Sequence, residues 1–78
     1  MPLGWAMTQN NLGNALRNLG ERENSTARLE EAVVALRLAL EFFEEAGASH
    51  YIGVAQGNLE RAEVLLEKRR AALGGPSD

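Results

Sequence analysis

The sequence predicts an all-α fold built from three helices, and three observations lead there. No stretch of the 78 residues shows period-two alternation, β-branched enrichment or an Asn-Gly turn, so no strand is expected. Two glycine-to-polar junctions, Gly20 followed by Glu21 to Thr26 and Gly47 followed by Ala48-Ser49, read as helix stops with a new N-cap behind them. The segments between the junctions contain no proline, and their apolar residues recur at helical spacing. Helices are therefore expected over about 3–19, 26–46 and 49–73, in one domain of residues 1–73. Gly74-Gly75-Pro76-Ser77-Asp78 joins a helix stop to a flexible composition and reads as a tail over 74–78.

In the first segment Trp5, Leu12, Ala15, Leu16 and Leu19 share one face at 100° per residue, and Asn10, Asn14, Arg17 and Asn18 fall opposite. That pattern predicts a helix packed on its leucine side. The second segment carries Leu29, Val33, Leu36, Leu40 and Phe43 as a stripe, extended by Ala32, Ala35, Ala39, Phe42 and Leu38 to over half the circumference, which predicts a sandwiched helix. The third returns to a single stripe, Ile52, Ala55, Leu59, Ala62, Leu66 and Leu73, beside an acidic row at Glu60, Glu63 and Glu67. Antiparallel neighbours would bring Glu44 and Glu45 near the positive start of helix three, and Lys68, Arg69 and Arg70 near Glu30 and Glu31. The basic cluster could equally complement its own helix end.

Composition narrows the function. The chain is 45% hydrophobic and 24% charged with a net charge of −3, which fits a globular protein and disfavours a nucleic-acid reader or a membrane span. Lys68-Arg69-Arg70 is too short for a nucleic-acid stripe. Without cysteine, and with His50 as the one histidine, neither a thiolate nor a two-histidine metal set can form. The acidic row lacks the Glu-x-x-His spacing of carboxylate metal bundles, and no nucleophile is spaced to serve His50. A non-enzyme without cofactor is expected. No signal segment is visible at the start, which points to a cytoplasmic setting. Asn24-Ser25-Thr26 matches a glycosylation acceptor but reads better as the cap of helix two.

An offset of 47 residues aligns helix one with helix three, pairing Gln9 with Gln56, Asn11 with Asn58, Leu12 with Leu59, Ala15 with Ala62 and Leu19 with Leu66. A period in that range marks stacked helical hairpins. The run Trp5 to Leu16, then Leu19-Gly20-Glu21-Arg22-Glu23 and Leu29-Glu30-Glu31-Ala32-Val33, strongly resembles the tetratricopeptide repeat in its bacterial variety with longer units. The resemblance is close over residues 5–46 and loose over 49–66. It departs from the family at Leu36, where an aromatic is usual, in the longer inter-helix segment, and at Glu60, which replaces Gly13 in the second unit. Glycine in a helix interior costs about 0.8 to 1 kcal/mol relative to alanine, so Gly13 implies a close approach by helix two. Glu60, with Glu63 in place of Leu16, makes the matching face of helix three polar, as on a terminal cap, or as in a repeat that has diverged with its next helix missing.

The resemblance implies protein or peptide binding along the helix-one face, through Asn10, Asn14, Arg17 and Asn18 with Arg61 of the second unit. Four asparagines in a helix are unfavourable by propensity, and each amide could pair with an extended peptide backbone. The alternatives are solvated surface or inter-helix bonds, with Asn11, recurring as Asn58, the structural candidate. One and a half hairpins also make a small core. Self-association through Leu38, Phe42, Val64 and Leu65, most simply a two-fold dimer, is the second expectation, and in the alternative reading such assembly is the whole function.

Overall fold

Two tight links place the helices side by side, and in the computed structural model, which describes residues 3–74, they are α1 (Leu3–Glu23), α2 (Thr26–Ala46) and α3 (Ser49–Gly74). Among the described residues there is no strand, and the fold is all-α. Residues 75–78 of the expected tail lie outside the described residues, and Gly74 ends α3.

The ends are set by local chemistry, with one departure from expectation. Ser25 caps α2, its hydroxyl accepting from the Arg28 N–H at 3.2 Å. Gly47 closes α2 in the left-handed region (φ 66°), with the Ala48 N–H reaching back to the Phe43 carbonyl at 2.9 Å. α1, however, does not stop at Gly20. It runs one turn further and turns at Asn24 (φ 54°), where the Ser25 N–H satisfies the Gly20 carbonyl at 2.9 Å. An asparagine tolerates that conformation better than most residues, so it serves where glycine was expected. α3 starts at Ser49, and the Ala48 carbonyl accepts its first helical bond, from the Ile52 N–H at 3.0 Å.

Gly20 and Gly13 serve packing instead. A Cβ at Gly13 would overlap the Leu36 side chain, with Cδ2 at 2.7 Å, and one at Gly20 would lie 2.9 Å from Leu29 Cγ. Gly13 against Leu36 and Gly20 against Leu29 are two rungs seven residues apart on each helix, so α1 and α2 run antiparallel at close range. Ala6, beside Ala39 and Phe43, extends the small-residue seam. The close approach implied by Gly13 is thus realised, and it rotates α1 away from the expected orientation. Its buried residues are Ala6, Asn10, Gly13 and Gly20. Leu12 and Ala15 are exposed and Leu16 and Leu19 only half-buried, so the leucine stripe is not the packed face.

α2 lies between α1 and α3, with Leu29, Ala32, Leu36, Ala39 and Phe43 fully enclosed. α3 packs on its other side through Ala55, Ala62 and Leu66, while Leu73 at the end of the expected stripe is exposed. The aromatic groups cluster at one end, where Phe43 stacks on Tyr51 at 5.2 Å and Trp5 meets Phe42 edge-on at 6.3 Å. Arg70 pairs with Glu30 and Arg37 with Glu63, each at 2.8 Å, fixing the antiparallel register of α2 and α3. Glu31 turns to Arg28 on its own helix at 3.0 Å, not to the basic cluster. All three pairs are exposed, so their effect is on register more than on stability.

Candidate functional site

α1 and α3 both lean on α2 and run parallel to each other, which leaves a shallow groove between them. Arg17 and Glu21 line it from α1, and Glu60, Arg61, Val64 and Leu65 from α3, around a volume of about 440 Å³. The two helices also meet through a buried amide pair. Asn58 Nδ2 donates to Asn10 Oδ1 at 3.1 Å, and Arg61 Nη1 donates to Asn58 Oδ1 at 3.3 Å. A guanidinium can only donate, so Arg61 requires the Asn58 oxygen, and the Asn58 nitrogen is thereby turned to Asn10. The chain of bonds locks α1 to α3 and aims Arg61 along the groove wall.

This geometry corrects the expected binding set. Asn10 is 9% exposed and Asn58 7%, so Asn10 is structural and cannot receive a ligand while the pair is intact. Asn11, the expected structural amide, is exposed. The swap follows from the rotation of α1 described above, because turning the glycine seam onto α2 carries Asn10 inward and Asn11 outward. Asn14 and Arg17 are half-buried, and Asn14 Oδ1 and Arg17 Nε are shielded from solvent with no hydrogen-bond partner among the described residues. Arg61 is exposed on the groove wall, and Asn18, also exposed, lies outside the groove lining. Neither Arg17 nor Arg61 takes part in an ion pair among the described residues. Glu21 and Glu60 escaped the sequence reading as groove residues; their places one turn beyond Arg17 and beside Arg61 were the available signal.

The four residues expected to mediate self-association do not form one surface. Val64 and Leu65 belong to the α1/α3 groove, and Phe42 is half-buried against Trp5. Leu38 lines a second, larger groove of about 660 Å³ between α1 and α2, together with Leu12, Leu16 and Val34. The two grooves share no residue. Elsewhere, His50 is exposed with its ring edge-on to Tyr51 at 5.3 Å, and Glu63 of the acidic row is held by Arg37. Among the described residues no three histidine, aspartate or glutamate side chains converge as a metal-holding group, and no helix is long and apolar enough to cross a membrane. Comparison of the chain with protein-family models, with curated proteins and with solved structures finds no match.

Proposed function

We propose that the chain is a non-catalytic, cytoplasmic interaction module, similar in construction to a tetratricopeptide hairpin with a capping helix, that holds a peptide segment in the α1/α3 groove. The observation that carries this reading is the groove's unspent hydrogen-bonding capacity. Arg17 and Arg61 line it without ion-pair partners among the described residues. A guanidinium only donates, and the carbonyl and carboxylate oxygens of a peptide are the acceptors that suit it. Val64 and Leu65 add an apolar wall for a side chain of the bound segment. Glu21 and Glu60, on the same lining, favour a segment carrying at least one basic residue beside its polar contacts.

Selection of a random-peptide display library against the wild-type chain tests the proposal. Binders are expected, and Arg17→Ala with Arg61→Ala abolishes their capture while the helical circular dichroism stays unchanged. A selection that returns no binder, or binders indifferent to the double substitution, refutes it.

A further inference from the structure

The second groove, between α1 and α2, points to a different partner. Leu12 is 46% exposed, Leu38 41% and Val34 59%, and with Leu16 they make an apolar floor on the side of the stack away from α3. The internal repeat says what such a stripe is suited to. Leu12, Ala15 and Leu19 of α1 correspond to Leu59, Ala62 and Leu66 of α3, and in α3 those positions pack on a helix, with Ala62 and Leu66 buried against α2. On α1 the same pattern is largely uncovered, with Leu12 and Ala15 exposed and Leu19 half-buried.

We infer that the α1/α2 groove is the contact surface of a two-fold dimer, with the α1/α2 hairpin of a second copy of this chain as its occupant. Both helices present apolar residues to the groove at heptad-compatible spacing: Leu12 and Leu16 on α1, and Ala27, Val34 and Leu38 on α2. Two such hairpins facing one another form a four-helix arrangement in which each stripe meets its like. A head-to-tail contact would set this apolar stripe against Glu60 and Glu63, the α3 equivalents of Gly13 and Leu16, so pairing of the groove with its own copy is favoured. The contact therefore closes on itself as a two-fold. The charges agree, since the rim carries both signs in Arg28, Glu30 and Glu31 and so does not repel a copy of itself. The area is sufficient too. Two 21-residue helices, each about 31 Å long and about 10 Å wide, offer a face on the order of 600 Å² per copy, the lower bound for a stable pair.

This surface is separate from the α1/α3 groove, and its test does not touch that reading. Light scattering coupled to size-exclusion chromatography of the full chain is expected to give twice the 8.5 kDa chain mass at micromolar concentration. Val34→Glu with Leu38→Glu should halve that mass, and Leu12→Glu alone should do the same, with helical circular dichroism retained because these side chains are exposed within one copy. Val64→Glu, in the other groove, should leave the mass unchanged. A wild-type chain of monomer mass, as expected if the groove is kept for a helix of another protein, overturns the inference. So does a dimer that survives the groove substitutions, or a mass that climbs beyond the dimer with concentration.

Discussion

Gly13 and Gly57 provide a matched pair in which one substitution should have opposite signs. Both lie inside long helices, so replacing either by alanine gains about 0.8 to 1 kcal/mol of helix propensity. At Gly57 nothing lies within 4 Å of the new Cβ, and that gain is expected nearly whole. At Gly13 the Cβ would overlap Leu36, whose Cγ and both Cδ atoms crowd the position. Leu36 is fully buried, with Leu29, Ala32 and Val33 in the same cluster, and has no open space to rotate into. The remaining response is for α1 to lift off α2 along the glycine seam, which loosens the Gly20 to Leu29 rung as well. Overpacking of this kind costs about 1 to 3 kcal/mol, enough to cancel the propensity gain and leave a net loss of up to about 2 kcal/mol. Thermal unfolding followed by circular dichroism, at one fixed protein concentration, separates the two. Gly57→Ala should melt about 4 to 8 °C above the wild type, and Gly13→Ala below it. If Gly13→Ala stabilises as much as Gly57→Ala, the close α1/α2 approach is wrong, and the orientation of α1 derived from it fails too.

Two further outcomes follow from the same geometry. Asn10→Ala removes the Asn58 Nδ2 partner inside the α1/α3 contact and should cost about 1 to 3 kcal/mol in urea denaturation, whereas Asn11→Ala, on the exposed side, should change stability little. Equal effects at the two positions would refute the assignment of Asn10 as the structural amide. Ser25→Ala deletes the α2 cap and should cost about 0.5 to 2 kcal/mol, most of it recovered by Ser25→Asp; a neutral Ser25→Ala would mean that the 3.2 Å bond to Arg28 does not contribute.

Much of the fold was legible because its signals are local. Gly47 in the left-handed region, Ser25 at the α2 start and the wide apolar surface of α2 are each readable within a few residues, and α2 and α3 begin at the expected positions. The error at Gly20 came from an ambiguity of glycine itself. The same residue ends a helix when the backbone needs a positive φ, and admits a neighbour when the backbone needs proximity, and nothing within α1 distinguishes the two. The candidate groove was legible in part: Arg17 and Arg61 line it, Asn14 stands half-buried beside Arg17, while Asn10 is buried and Asn18 lies outside the lining.

By itself, then, the sequence determined three helices, the position of α2 between the other two and the polar character of one face of α3. Tertiary structure decided which face of α1 is buried. Hydrophobicity favoured the leucine stripe, whereas close approach favoured Ala6, Gly13 and Gly20, about a third of a turn away on the helix surface. The small residues prevailed because Leu29 and Leu36 of α2 fill the space that glycine leaves, an outcome set by the shape of the partner helix and invisible to the periodicity of α1 alone. That rotation exposes Leu12, buries Asn10, and so sets both surfaces the molecule offers to others.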